Sequence, residues 1–128
     1  DWNGVFREVA RVLKKKGIFI FSTNNPVFSS SKSIVLKGKE YEVLGIKNYF
    51  KENVEYSKWL KHPSGKPIKI PFYHKTYETI IKTTIRNGFE IIDYKDCYPI
   101  KKAKKLFPKQ YKFYTKVPMF CVWKAKKK

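Results

Sequence analysis

Any chemistry in this chain centres on one histidine and a few polar and aromatic residues around it. His74 stands in Tyr73-His74-Lys75-Thr76, just ahead of a helical pattern. An imidazole titrating near neutrality can orient an acceptor or take its proton; the plainer role is a hydrogen-bonded histidine at a pocket edge. The other histidine, His62, sits in the turn-rich run His62-Pro63-Ser64-Gly65-Lys66-Pro67 and reads as surface. Asn24 and Asn25 precede Pro26, where their amides can serve a substrate or simply shape the loop. Tyr49, Phe50, Trp59 and Tyr73 are the candidates for an aromatic cage around an acceptor, against the commoner fate of aromatics in the core. His74 is thus the one catalytic candidate. Asn24, Asn25, Tyr49, Trp59, Tyr73 and His74 are the candidates for holding a substrate.

Other chemistries find no support. Cys97 and Cys121, the only cysteines, have apolar or aromatic neighbours and read as reduced, buried thiols. No spacing suits a metal, and no Ser-His-Asp order is present. Asp93 and Asp96 are too isolated to form a working carboxylate pair. No run of eighteen apolar residues spans a membrane, no membrane partner is expected, and the absence of a signal peptide points to the cytoplasm.

Charge is the strongest compositional signal. The 128 residues carry 29 Lys plus Arg against 10 Asp plus Glu, a formal net charge of +19. Anionic partners follow from that: nucleic acid, phosphorylated metabolites or an anionic surface. Yet Arg occurs only at Arg7, Arg11 and Arg86, and Lys is as much a surface solubiliser as a ligand. The basic stretch Lys101–Lys112, with Phe107, Tyr111 and Tyr114 interleaved, could bind single-stranded nucleic acid by charge and stacking, or be a solvated helix face.

The elements that must position these residues follow from periodicity. Trp2, Val5, Phe6, Val9, Val12 and Leu13 recur at helical spacing, predicting a helix over 2–15 capped by Asp1 and stopped at Gly17. Ile18–Phe21 is a short strand, apolar on both faces and so buried between layers. Residues 27–75 are less regular. Ser29–Ser33 reads as loop, Tyr41–Ile46 as a short strand, and Val54–Leu60 with Ile68–Phe72 as a hairpin. Together they make a lid-like excursion. A second helix is predicted over 76–87, stopped by Gly88, then a strand from Phe89 to Tyr94 and a short helix over 101–112 broken at Pro108. A last strand runs from Met119 to Trp123, and 124–128 is a solvated basic tail. This is an α/β pattern in one domain, whose ligands gather at strand carboxyl ends, near Ser22–Pro26.

The run Glu8-Val9-Ala10-Arg11-Val12-Leu13-Lys14, followed by Gly17 and the strand Ile18–Phe21, resembles the class I S-adenosylmethionine-dependent methyltransferases. There a similar helix and turn lead into the fifth strand of a seven-stranded Rossmann-like sheet. Lys15-Lys16 stands where the family commonly has Pro-Gly, and Gly17 keeps the turn glycine. Asn24-Asn25-Pro26 is similar to the loop after that strand. Tyr73-His74-Lys75-Thr76 and Asn87-Gly88-Phe89 are similar to the start and end of the next helix, with Lys75 in place of Arg. The resemblance implies that 18–22, 89–95 and 118–124 are strands five, six and seven, with strand seven antiparallel between the others. It implies S-adenosylmethionine as cofactor of the whole enzyme and a small molecule or RNA as methyl acceptor. The family's Gly-rich loop after strand one and its ribose-binding acid after strand two have no counterpart here. The chain is therefore expected to be a C-terminal half that supplies the acceptor side and is inactive alone. Trp2 is its one candidate at the cofactor's edge. With strand four missing, Ile18–Phe21 is expected to present a free edge and to self-associate. A stand-alone basic nucleic-acid-binding module is the alternative reading.

Overall fold

The computed structural model describes residues 1–34, 43–61 and 67–128. The described elements begin with α1 (Trp2–Val12), β1 (Ile18–Asn24), α2 (Pro26–Ser29), β2 (Ser31–Ile34) and β3 (Val43–Ile46). They continue with β4 (Val54–Lys61), β5 (Pro67–Tyr73), α3 (Tyr77–Arg86), β6 (Phe89–Asp96), α4 (Ala103–Leu106), α5 (Pro108–Tyr114) and β7 (Phe120–Lys127).

Helix α1 starts as its sequence requires: the Asp1 carboxylate accepts from the Gly4 N–H at 3.1 Å. It stops at Val12, short of the expected residue 15, because Leu13 turns extended. The cation at its negative end is not one of Lys14–Lys16. The Lys127 ammonium, delivered by β7, donates to the carbonyls of Ala10 and Leu13, the latter at 2.7 Å. The turn into β1 also departs from expectation. Lys16, with φ 64°, takes the left-handed position. Gly17 is needed for room instead: a Cβ there would lie 2.6 Å from Leu13 Cγ and 2.7 Å from the Lys14 carbonyl.

Strand β7 lies in the middle of a three-stranded sheet of order β1-β7-β6, antiparallel to both neighbours. β1 and β6 are therefore parallel, and their carboxyl ends, Asn24 and Asp96, meet at one edge. Cross-strand partners share a face. Phe19 pairs with Ala125 and Phe21 with Trp123, and both pairs belong to the core with α1 and α3. Phe6 sits at its centre, 4% exposed, with Phe19, Phe21 and Phe89 at ring-centroid distances of 5.4, 5.0 and 6.4 Å. Burial is one-sided, contrary to the reading of β1 as apolar and covered on both faces: Ile18 and Ile20 remain 43% and 61% exposed. Residues 124–127 are not a tail either. They complete β7, with Ala125 fully buried.

The 27–75 excursion contains two hairpins, each a separate antiparallel pair: β2 with β3, and β4 with β5. The second matches the predicted hairpin. Ser31–Ile34, read partly as loop, is a strand. The helical stretch is broken at Pro108 as expected: α4 ends at Leu106, Phe107 is non-helical, and Pro108 opens α5 at its first turn, where a missing N–H costs nothing. No helix of the described residues is long and apolar enough to cross a membrane.

Candidate functional site

A polar corner forms at the carboxyl end of the parallel pair. Asn25 is fully buried there, and all of its hydrogen-bonding groups are engaged. Its Oδ1 accepts from the Val27 N–H at 3.0 Å, capping α2, and from the Tyr77 hydroxyl at 3.0 Å. Its Nδ2 donates to Asp96 Oδ1 at 2.7 Å and to the Tyr94 hydroxyl at 3.3 Å. Tyr94 also donates to Asp96 Oδ1 at 2.6 Å, and the two phenol oxygens lie 3.1 Å apart. Burial pushes the Tyr94 phenol far up, and the Asp96 and Tyr77 contacts push the same way. Burial also raises Tyr77. Both phenols thus remain protonated donors at physiological pH. The network ties α2, α3 and β6 together and leaves Asn25 no donor or acceptor for a substrate.

His74 is the second knot. It is 2% exposed and follows β5 directly. Its Nε2 lies 2.7 Å from the Tyr49 carbonyl, an acceptor only, so Nε2 carries a proton. Its Nδ1 lies 2.7 Å from Ser29 Oγ. In the neutral ring Ser29 therefore donates to Nδ1. The His74 N–H donates to the Asn53 carbonyl at 3.1 Å. One imidazole thus joins α2, the 46–53 segment and the end of β5. With both ring nitrogens hydrogen-bonded, His74 holds these parts together.

Glu52 makes a third joint. Its Oε1 accepts from the Thr76 N–H and hydroxyl, both at 3.0 Å, and its Oε2 pairs with Lys75 at 2.8 Å. Burial pushes the carboxyl up, but hydrogen bonds from Lys75, Thr79 and Thr76 outweigh it and bring Glu52 down to about 2. The Tyr49 hydroxyl accepts from the Tyr77 N–H at 3.0 Å, so the same segment satisfies two donors at the start of α3.

The remaining candidates spread out. Tyr49 joins His74, their rings 5.7 Å apart. Tyr73 is on β5 and 56% exposed. Trp59 is on β4, paired with Ile68. Asn24 ends β1 opposite Phe120, on the face away from Asn25's partners. His62 lies outside the described residues. A cleft of about 80 Å³ opens over the His74 knot, lined by Ser29, Ser30, Asn48, Asn53, Glu55 and His74 among others. Sequence reasoning missed Ser29, Glu52, Tyr77, Tyr94 and Asp96. Only Tyr94 and Asp96 carried a signal, the i, i+2 spacing that places both on one strand face.

Among the described residues the candidates for holding S-adenosylmethionine are engaged elsewhere. Trp2, the one candidate, is taken up by the core, stacked on Phe6 at 5.7 Å and edge-on to Phe21 at 6.4 Å. Glycines that cradle a ligand leave space where a Cβ would go. At Gly4 that space is filled by the Asp1 carboxylate at 2.5 Å and at Gly17 by the helix α1 terminus; at Gly88 it is open, but there a φ of 83° turns the chain from α3 into β6. Among the described residues no group of His, Cys, Asp and Glu is arranged for a metal. Cys97 and Cys121 are free thiols.

Comparison with known proteins agrees with this geometry. No family model and no curated protein matches the sequence. Solved structures do. A protein of Listeria monocytogenes assigned as an S-adenosylmethionine-dependent methyltransferase superposes with a TM-score of 0.77 at 27% identity, over 100% of this chain and 55% of that one. An S-adenosylmethionine-dependent methyltransferase from Mesorhizobium loti superposes with a TM-score of 0.71 at 22% identity, over 99% of this chain and 55% of that one. The chain has the α/β fold of S-adenosylmethionine-dependent methyltransferases and spans about half the length of these matched structures. Its antiparallel strand inserted between two parallel ones is the arrangement the resemblance implied for strands five, seven and six, which makes it the C-terminal half of that fold.

Proposed function

We propose that this chain forms the acceptor side of an S-adenosylmethionine-dependent methyltransferase, and that by itself it neither holds the cofactor nor transfers a methyl group. One observation carries the reading: the match to the Listeria monocytogenes structure covers 100% of this chain and 55% of that one. Methyl transfer from a sulfonium centre demands alignment and exclusion of water more than acid–base work. The corner at the end of β1 suits that demand. Asn25 fixes α2, His74 fixes the 46–53 segment against it, and the cleft over them is lined by the Ser29 and Ser30 hydroxyls, the Asn48 and Asn53 amides and the charged groups of Lys47, Lys51 and Glu55. His74 acts here as a positioning residue for the acceptor wall.

Calorimetry tests the proposal. S-adenosylmethionine titrated into the 128-residue chain should give no binding heat at physiological cofactor concentration. Micromolar affinity would show that the chain carries a cofactor site of its own and would overturn the reading.

A further inference from the structure

We infer that residues 98–112 form a docking face for an anionic lipid bilayer. The inference is independent of methyl transfer. The Ala103, Lys104 and Lys105 N–H groups donate to the Ile100, Lys101 and Lys102 carbonyls, a turn that leads into α4. At 100° per residue, Ala103 and Leu106 fall on one side of α4 and Lys104 and Lys105 on the other, with apolar Ile100 and Phe107 at its two ends. A short amphipathic helix in a globular protein normally turns such an apolar arc inward. Here it is turned outward: Ile100 is 71%, Leu106 60% and Phe107 57% exposed, and Tyr98 beside them 64%. Along the segment itself the charge has one sign: residues 97–116 contain seven Lys and no Asp or Glu.

Exposed apolar side chains inside a ring of lysines match a bilayer interface. There the apolar groups enter the acyl boundary while lysine stems reach back to anionic headgroups. Single-stranded nucleic acid is the competing occupant, and the side chains disfavour it. Of the three aromatics interleaved in this stretch, Tyr111 and Tyr114 are half-buried, and Tyr114 packs on Phe28 at 6.0 Å. Tyr98 and Phe107 are free to stack, but the other two exposed groups, Ile100 and Leu106, have no π face. Residues 87–128 contain no Arg, the residue best suited to phosphate and base contacts. The lack of a spanning segment argued against membranes, but a surface-lying segment needs no span.

Sedimentation with phosphatidylglycerol vesicles, phosphatidylcholine vesicles and a single-stranded oligouridine tests the assignment. The chain should bind phosphatidylglycerol vesicles at physiological salt and not phosphatidylcholine. Since its +19 charge alone favours any polyanion, the deciding variant keeps every charge. The double substitution L106S/F107S should weaken vesicle binding about tenfold or more. V12S, which removes an equally exposed valine from α1, should leave it unchanged. Vesicle binding indifferent to L106S/F107S would mean charge alone and overturn the inference. So would absence of vesicle binding, or oligouridine binding that is tighter than vesicle binding and lost in the same variant.

Discussion

Single side chains do more joining than chemistry in this protein. Asn25 shows it best: one buried amide caps α2 and satisfies Tyr77, Tyr94 and Asp96. Asn25→Ala removes the cap and strands buried polar partners, a loss of roughly 2–4 kcal/mol of folding stability. Urea denaturation should show that loss, and a change within 0.5 kcal/mol would mean water substitutes for the amide. His74 belongs to the same scale. In a methyltransferase completed by the cofactor-binding half, His74→Ala should lower turnover more than His62→Ala while leaving cofactor affinity unchanged. Equal, small effects would argue against a role in the acceptor wall. The sequence marked Asn25 and His74 as residues of interest because polar groups beside a proline or ahead of a helix stand out. It could not reveal that both are saturated internally, since the partners of their side chains other than Val27 lie 25 to 71 residues away in the chain.

Elements were legible where local periodicity and burial agree. α1, β1, the β4–β5 hairpin, α3 and β6 fall close to expectation, because capping residues and apolar spacing are local signals. β7 was cut short because Lys124 and Lys126 look like a solvated tail, yet they alternate with the buried Ala125 along a central strand. The start of α3 carries a pH dependence that no local pattern shows. Glu52, from the loop before β4, receives both Thr76 donors and Lys75. Its folded value of about 2 lies below the ordinary 4.5, so its contribution is fully present above about pH 4.5. That stability is lost as pH falls from 4.5 towards 2, where the folded state must also take up the proton. Stability measured against pH should therefore drop across this window in the native chain. The drop should be smaller in Glu52→Gln, which is less stable at neutral pH. Parallel pH curves for the two proteins would remove Glu52 from the account.

At the scale of the whole molecule the sheet is unfinished on one side. β1 pairs only with β7, so among the described residues its other edge offers unpaired N–H and C=O groups. Trp2 and Phe6 are drawn into the chain's own core. The exposed apolar groups of β1 are Ile18 and Ile20, at 43% and 61%, and those of α1 are Val5 and Val12, at 57% and 66%. An apolar strand edge is a template for another chain, and each such side chain fully buried would contribute roughly 1.5–3 kcal/mol. Against this stands the net charge of +19. Repulsion between like-charged copies reaches about 30 Å at 0.01 M salt but only about 8 Å at physiological ionic strength. The isolated chain should therefore be monomeric in dilute salt and dimeric at physiological salt and high protein concentration. Sedimentation velocity at the two salt concentrations distinguishes these states. Ile20→Lys, which puts a charge on the edge strand, should restore the monomer. Salt also separates this contact from lipid docking: raising it strengthens edge pairing by screening repulsion, and weakens attraction to an anionic bilayer by the same screening. A chain that stays monomeric as salt rises, with or without Ile20→Lys, would show that the edge of β1 is closed to a second copy.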